Sequence, residues 1–205
     1  MMELRKPKGI LFSTEMVRAI LDGRKTQTRR IITVDNDFET NPVCLPPDQW
    51  DGRFRFVENL PGYGVLAIRC QYLTPKYQPY NVLWVRETWQ YIEGASGHGY
   101  AYKAGGGIYN VTSVWRPSIH MPRKAARIFL RVTDVRVERL QDITTQDIKA
   151  EGVEKSSFTE AYRGYEREFI NLWDSINAKR GYEWEINPFV WVYTFERIEG
   201  GGEHD

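Results

Sequence analysis

The sequence predicts an α+β domain, a mixed β-barrel with short helices at its ends and one longer helix near the C-terminus. Three observations favour this class. Strongly alternating segments at 127–140 and 189–198 predict strands, short amphipathic helices lie between the strands, and the strand–helix–strand rhythm of a parallel sheet is missing. With 205 residues, 41% of them hydrophobic, the chain can bury one core. We therefore expect a single domain over 9–198 and a flexible tail at 199–205.

A short helix is predicted near the N-terminus, over residues 14–22. Ser13 can cap its first turn, and Phe12 and Val17 occupy the two positions of a hydrophobic staple. Gly23 follows the last apolar residue of the helical face and supplies the stop. The pattern therefore places the polar run that comes next directly at the end of a helix.

The middle of the chain gives weaker signals. Residues 33–80 are rich in Pro and Gly and contain one short strand candidate at 65–69, so we expect a long insertion with little regular structure. A clearer strand covers 82–86. Residues 94–107 predict a glycine-rich loop. The run of three glycines at 105–107 lacks the flanking pattern of a phosphate-binding loop and predicts a flexible turn.

Two further strands and two further helices are predicted in the C-terminal half. In the strand at 127–140 the alternation of apolar residues changes phase at Thr133 and Asp134, which predicts a bulge or a bend. The segment 144–147 is a variant of the capping box and opens a short helix that ends at Gly152. A longer helix is predicted over residues 158 to 178, with an apolar side formed by Tyr162, Tyr165, Phe169, Leu172, Trp173 and Ile176.

Composition and charge exclude several classes of protein. The formal net charge is +1, so any contact with nucleic acid depends on local basic clusters. Cys44 and Cys70 are the only cysteines and the three histidines are scattered, so we expect no disulfide framework, no metal and no cofactor. A Mg or Mn ion bound by carboxylates alone would leave no such pattern in the sequence. No long apolar run indicates a signal peptide or a membrane span, which favours a soluble, cytoplasmic protein without a membrane partner. The sequence carries no signal for an oligomeric state.

Two basic clusters either bind nucleic acid or form solvated surface, and the residue types leave both interpretations open. The clusters are Arg24, Lys25, Arg29 and Arg30, and Arg116, His120, Arg123, Lys124 and Arg127. Arg86 and Glu87 at a strand end either face a ligand cleft or form an ordinary ion pair. Trp89, Tyr91 and Trp115 either form a wall on which a base stacks or pack within loops.

One segment has a more specific pattern. Residues 20–30, ILDGRKTQTRR, resemble the opening motif of ASCH domains, which is a short helix followed by G-[RK]-K-T-x-T-x-R. Residues 143–153 resemble the second short helix of that family, which a glutamate closes, and 188–195 resemble its closing strand. The segments WVRE at 84–87 and WRPSIHMPR at 115–123 resemble the longer members associated with phages and prophages.

The resemblance implies a PUA-like barrel and a role with a nucleoside or RNA. In one branch of the family, small proteins hydrolyse the acetyl amide of N(4)-acetylcytidine with a lysine, a threonine and a glutamate. Lys25, Thr28 and Glu151 match those three positions, and Arg30 matches the last arginine of the motif. A second branch is described as a ribonuclease that acts on single-stranded RNA.

The residue types suit the hydrolysis of an amide without a metal, which requires a nucleophile, a base and a donor for the oxyanion. The Thr28 hydroxyl can attack, and Lys25 can accept its proton if burial or neighbouring cations depress the lysine pKa. Glu151 can orient Lys25 or hydrogen-bond the edge of a cytosine. The expected binding residues are Arg24, Arg30, Arg86, Glu87, Trp89, His120 and Arg123. Three functions remain open: an amidohydrolase, a single-strand-specific ribonuclease and a non-catalytic RNA-binding module.

Overall fold

In the residues that it describes, the computed structural model of the chain has a five-stranded sheet, two smaller sheets and three α-helices. It describes residues 6–33, 43–45, 53–59, 68–94, 97–106, 114–155 and 163–199. The strands are β1 (Lys8–Leu11), β2 (Gln27–Ile31), β3 (Val43–Leu45), β4 (Phe54–Asn59), β5 (Ile68–Leu73), β6 (Val82–Arg86), β7 (Trp89–Gly94), β8 (Gly97–Tyr102), β9 (Phe129–Arg139) and β10 (Phe189–Ile198). The helices are α1 (Thr14–Leu21), α2 (Thr145–Ala150) and α3 (Arg163–Asn177). The mixed α+β class and the longer C-terminal helix are confirmed.

The five-stranded sheet has the order β1-β6-β9-β10-β2. Only β1 and β6 are parallel, and the other neighbours are antiparallel. Alternate residues of β10 pack into two different hydrophobic clusters. Trp191 and Tyr193 join the larger cluster, which we call the larger core, whereas Val190 and Val192 join a smaller cluster with residues of α2 and α3. Both faces of β10 are buried, which is why its sequence, FVWVYTF, is almost continuously apolar.

The phase change predicted in the strand at 127–140 is a bulge in β9. Asp134 lies opposite Thr194, but the next pair along β10 is Phe195 with Val132, so Thr133 is the extra residue. The bulge lets Val132 and Val135 both reach the larger core although their spacing is odd. The prediction made from the alternation of apolar residues is confirmed.

The insertion at 33–80 contains more regular structure than the sequence indicates. Strands β3, β4 and β5 form a three-stranded antiparallel sheet, so the prediction of little regular structure is wrong for those strands. Phe54 and Phe56 of β4 attach this sheet to the core, with ring centroids 4.9 Å from Trp191 and 5.2 Å from Phe189. The strand candidate at 65–69 overlaps the start of β5, and its first three residues lie outside the described part of the chain.

The glycine-rich stretch 94–107 also differs from its prediction. Residues 97–102 form β8, which pairs with β7 in an antiparallel hairpin, so the prediction of a loop is wrong there. Tyr100 explains the strand, because its ring packs at 5.7 Å from both Trp89 and Tyr91. Cross-strand aromatic contacts compensate for the low strand propensity of glycine.

Helices α1 and α2 begin where their capping residues predict. Ser13 Oγ accepts a hydrogen bond from the Met16 amide at 3.3 Å, and Thr144 and Asp147 form both bonds of a capping box. Helix α3 ends one residue before the predicted end, and residues 158–162 lie outside the described residues. Ile176, predicted on the apolar side of this helix, is exposed. Among the helices that the structure describes, none is long and apolar enough to cross a membrane.

Strands β1 and β2 form the two edges of the main sheet, and α1 connects them. Among the described residues no strand pairing joins β1 to β2, so the sheet is open as far as it is described. Of the predicted tail, only residue 199 is described. The fold thus places the end of α1, the edge strand β2 and the end of α2 side by side.

Candidate functional site

Lys25 and Glu151 meet between the start of β2 and the end of α2. The two residues form an isolated antiparallel bridge, and the neighbouring Thr26 amide donates to the Ala150 carbonyl at 2.8 Å. Lys25 Nζ donates to Glu151 Oε2 at 2.6 Å and to the Glu151 carbonyl at 2.8 Å. Because Lys25 is 3% exposed and Glu151 5%, this is a buried ion pair.

Gly152 makes this close approach possible. Its φ of +83° lies in the left-handed region that favours glycine. A Cβ atom at this position would lie 2.7 Å from Ala19 Cβ and 2.9 Å from Lys25 Cβ. A side chain at residue 152 would therefore push α2 away from α1 and from Lys25, so the glycine after Glu151 is a requirement of the site.

A second buried cation, Arg29, shares the Glu151 carboxylate. Arg29 Nη1 donates to Glu151 Oε1 at 3.3 Å, and its Nη2 donates to Glu138 Oε2 at 3.0 Å and lies 3.7 Å from Asp147 Oδ2. Arg136 bonds both Glu138 and Asp147. The result is a network of three carboxylates and three cations on the face of the sheet that α2 covers. Arg29 Nε is buried without a partner among the described residues.

Burial lowers the pKa of the Lys25 ammonium below its ordinary value. The paired Glu151 carboxylate opposes this shift because it favours the charged form, and the nearby Arg30 and Arg29 add to it. Deprotonation of Lys25 to its neutral amine therefore costs less free energy than deprotonation of a solvated lysine. Burial also raises the pKa of Asp147, but hydrogen bonds from Thr144 and the two arginines outweigh it, so the net pKa is below the usual value.

A cavity of about 140 Å³ opens beside this network, and Lys25, Thr28 and Glu151 all line it. An engineered apolar cavity of about 150 Å³ holds a benzene molecule, so the space fits one six-membered ring. Phe12 lies within 5.5 Å of Lys25 Nζ, and α3 supplies the opposite wall. The other lining residues are Leu11, Ser13, Met16, Arg29, Arg30, Ile31, Phe169, Leu172, Trp173, Ile176, Asn177 and Arg180.

The free edge of β2 borders the cavity with main-chain polar groups. Phe195 donates to the Thr26 carbonyl, Ile32 donates to the Phe189 carbonyl, and Thr28 lies opposite Tyr193. In an antiparallel pair alternate residues direct their amide and carbonyl groups to the partner strand. The main-chain groups of Arg29 and Ile31 therefore point away from β10, towards the cavity that both residues line.

Two other predicted residues of the opening motif have different environments. Arg30 lines the cavity, donates to the Leu11 carbonyl at 2.9 Å and lies over the Phe12 ring. Arg24 lies outside the cavity, where its guanidinium pairs with Asp22 at 2.9 Å and Glu154 at 3.1 Å. The structure thus brings Arg30, but not Arg24, to the catalytic candidates.

The remaining predicted binding residues do not line the cavity. Glu87 is 1% exposed and forms a bidentate ion pair with Arg127, at 2.9 and 3.0 Å. Of the two predicted roles for Glu87, a ligand cleft or an ordinary ion pair, this geometry corresponds to the ion pair. Trp89 is buried, so its ring has no open face on which a base could stack. The Arg86 guanidinium donates to the Ile119 carbonyl. His120 and Arg123 are exposed on the segment that follows, Tyr91 packs against Tyr100, and Trp115 is half-buried.

Comparison of the chain with family models, with curated proteins and with solved structures found no match. Within the described residues there is also no group of three or more His, Cys, Asp or Glu side chains that could hold a metal ion. The chemistry of the site is therefore inferred from its own geometry.

Sequence reasoning missed several residues of the site. Arg29 was placed in a basic cluster, but its role as a partner of Glu151 depends on strand alternation across β2, β10 and β9. The position of Glu138 in the sequence could have indicated a partner for Arg29, because Glu138 follows the bulge in the phase opposite to the core residues. Phe169 and Trp173 were predicted only as the apolar side of a helix, and that side also forms a cavity wall.

Proposed function

We propose that the chain is an ASCH-type protein of the PUA-like group, whose cavity binds a nucleoside or one base of an RNA and hydrolyses an acyl amide on a modified cytidine. The observation that carries this proposal is the meeting of Lys25, Thr28 and Glu151 at one cavity. Lys25 and Glu151 are separated by 126 positions in the chain. The similarity of residues 20–30 to the family's opening motif supports the same assignment.

The size and lining of the cavity support a pyrimidine base as the ligand. The space fits one six-membered ring, and Phe12 and Trp173 provide aromatic surface on two elements. A cytosine presents both donors and acceptors along its edge, and the free edge of β2 offers a main-chain amide and a carbonyl at Arg29 to match them. Arg30 adds a cation beside the same wall.

The first step forms an acyl-threonine. Lys25, in its neutral form, takes the proton of the Thr28 hydroxyl, and the oxygen attacks the carbonyl carbon of the acyl amide. The bond between that carbon and the exocyclic nitrogen then breaks, and the Lys25 ammonium returns the proton to the departing amine. Glu151 holds the lysine amine in place through the 2.6 Å bond. Cytidine leaves, and the acyl group stays on Thr28 as an ester.

The second step uses water. Lys25 accepts a proton from a water molecule, whose oxygen attacks the ester carbon. The carbon–oxygen bond to Thr28 breaks, and the proton returns to the threonine oxygen. The carboxylic acid leaves and the resting site is restored. Both steps require a lysine that gains and loses a proton easily, and the lowered pKa of Lys25 supports that role.

The deciding experiment measures the release of cytidine from N(4)-acetylcytidine by the purified protein. We expect turnover by the wild type and a loss of at least about 100-fold in Thr28→Val and in Lys25→Met, because general base and nucleophile each contribute that much or more. Thr26→Val is the matched control, since Thr26 is exposed two residues earlier and lies outside the cavity. Turnover that survives Thr28→Val would exclude Thr28 as the nucleophile.

A non-catalytic binding module is the second candidate. Both oxygens of Glu151 are already bonded, one to Lys25 and one to Arg29, which suits a rigid cleft as well as a reactive one. Binding of cytidine by calorimetry, without release from the acetylated compound, would favour this function. Incubation of the purified protein with unmodified single-stranded RNA, with cleavage of the strand as the readout, tests the ribonuclease alternative.

A further inference from the structure

The net charge of +1 hides a strong asymmetry along the chain. Residues 94–133 contain six Lys and Arg residues and no Asp or Glu. The remainder holds 22 Lys and Arg against all 27 Asp and Glu, so the formal charges of the two parts are +6 and −5. A stretch of this length without a carboxylate creates a local positive potential that the whole-chain charge does not reveal.

Four exposed basic residues of this stretch have no carboxylate partner within the described residues. Arg116, His120, Arg123 and Lys124 are exposed, and within the described residues none of the four forms an ion pair. Arg127 and Arg131 of the same stretch differ, because they bond Glu87 and Glu196. Arg24, Arg29 and Arg136 bond carboxylates elsewhere in the chain. We call Arg116, His120, Arg123 and Lys124 the basic surface. Within the described residues, no carboxylate neutralises the charges of Arg116, Arg123 and Lys124.

The basic surface is connected to the cavity through β1 and β6. Leu11 lies opposite Arg86 in the parallel pair, and the Phe12 amide donates to the Arg86 carbonyl at 3.3 Å. Leu11 and Phe12 line the cavity. The Arg86 guanidinium bonds the carbonyl of Ile119, the residue before His120. A single arginine therefore links the cavity wall to the segment that carries the basic surface.

We propose that the basic surface binds the phosphates of a single-stranded polynucleotide, one base of which occupies the cavity. This inference rests on the proposed function and extends it from a free nucleoside to a polymer. A cavity that holds one ring leaves the sugar and phosphates of the ligand outside. The neighbouring phosphates then need cations beyond the cavity mouth, and the basic surface supplies them.

The ligand is single-stranded because a paired base cannot enter a cavity of this size. Enzymes and binding modules that read a base in a pocket act on an unstacked nucleotide. Contacts from Lys and Arg to phosphates add affinity without sequence preference and weaken as salt rises. The surface therefore predicts salt-dependent binding, with the choice of base left to the cavity.

The test measures fluorescence anisotropy of a short labelled oligocytidine, as RNA and as DNA, with the full chain over a series of salt concentrations. Arg123→Gln/Lys124→Gln should raise the dissociation constant about tenfold. It should also reduce the salt slope by about 1.4, since each phosphate contact on a single strand contributes about 0.7. Lys155→Gln/Arg167→Gln removes the same charges at two exposed residues outside residues 94–133 and should leave both quantities unchanged. Equal thermal unfolding midpoints for the two variants confirm that both fold.

Three outcomes overturn the inference: no binding by the wild type, equal losses in both variants, and displacement of the oligonucleotide by polyglutamate of equal charge. The RNA and DNA arms identify the sugar that is preferred. Turnover of N(4)-acetylcytidine by the wild type without binding of the oligonucleotide refutes this inference and keeps the proposed function. Loss of oligonucleotide binding in the first variant alone, with no turnover of the nucleoside, supports the basic surface and refutes the acyl-amide function.

Discussion

At the residue scale, Glu151 is a buried carboxylate that two buried cations share. Lys25 bonds one of its oxygens at 2.6 Å and Arg29 the other at 3.3 Å. Removal of one partner from a buried ion pair leaves an uncompensated charge. Loss of Lys25 leaves Glu151 paired with Arg29, whereas loss of the Glu151 charge leaves two buried cations without their shared carboxylate. The three residues are therefore unequal in their contribution to stability.

Glu151→Gln should lower the free energy of unfolding by about 3–5 kcal/mol, because Lys25 and Arg29 both lose their shared carboxylate. Lys25→Met should cost clearly less, because Arg29 still neutralises Glu151 and the methionine stem fills the same space. Urea denaturation at pH 7 measures both values. Glu154→Gln is the control, since that carboxylate is exposed and pairs only with Arg24 at the surface. Equal costs for Glu151→Gln and Lys25→Met would contradict the shared-carboxylate interpretation.

At the element scale, the site depends on how closely the end of α2 approaches the end of α1. Gly23 and Gly152 end the two helices, and both have a positive φ, of +74° and +83°. Their surroundings differ, because a Cβ at Gly23 would meet no atom within 4 Å. At Gly152 it would clash with Ala19 and Lys25. Substitutions at Gly23 and at Gly152 therefore distinguish the cost of backbone strain alone from the cost of strain together with a steric clash.

Gly23→Ala should cost about 1–2 kcal/mol, which is the penalty of the left-handed conformation for a residue with a Cβ. Gly152→Ala should cost the same amount plus the clash, for a total of about 3 kcal/mol or more. Urea denaturation of the two variants measures the difference. Gly152→Ala should also weaken cytidine binding, since the displaced Lys25 lines the cavity. Equal losses of the free energy of unfolding in the two variants would contradict the predicted clash, because they would show that the ends of α1 and α2 can move apart without a cost in free energy.

At the scale of the whole molecule, the site lies between the two hydrophobic clusters that flank the main sheet. Phe12 belongs to the larger cluster, and Val192, which lies opposite Arg29, belongs to the smaller one. Lys25 is 3% exposed in the folded protein and becomes fully solvated only when this core opens. Its titration is therefore coupled to global unfolding, and so is that of Tyr193, whose pKa burial raises above the ordinary value of 10.0.

The stability of the wild type should rise relative to that of Lys25→Met as the pH is raised from 7 towards 10. Burial places the folded pKa of Lys25 below the unfolded value of 10.5, so between the two values the unfolded chain binds more protons and stability increases with pH. The slope is at most about 1.4 kcal/mol per pH unit, the value for one proton. Tyr193 acts in the opposite direction above pH 10, where only the unfolded chain releases its proton, and it is present in both proteins.

Urea denaturation at several pH values gives the difference between the two proteins, in which the contribution of Tyr193 cancels. A difference that is constant from pH 7 to pH 10 would show that Lys25 keeps its ordinary pKa in the folded protein. It would also remove the support that the lowered pKa gives to Lys25 as a base.

Local patterns in the sequence predicted the structural features that depend on interactions between residues close together in the chain. Ser13, Thr144 and Asp147 act on amides within three residues, so the starts of α1 and α2 could be predicted. The change of phase at Thr133 predicted the bulge, because alternation is a property of one strand. The same reasoning failed for β4 and β8, where aromatic side chains pack against residues of other strands: Phe54 and Phe56 against β10, and Tyr100 against β7.

The sequence determined by itself the α+β class, the helix ends and the candidates Lys25, Thr28 and Glu151. Only the tertiary structure decided that Arg29 shares the carboxylate of Glu151, that Glu87 pairs with Arg127 and that Trp89 is buried. The physical reason is the range of each interaction. Caps and alternation act over a few residues, whereas an ion pair between Lys25 and Glu151, or a cavity between β2 and α3, exists only once the chain brings those residues together.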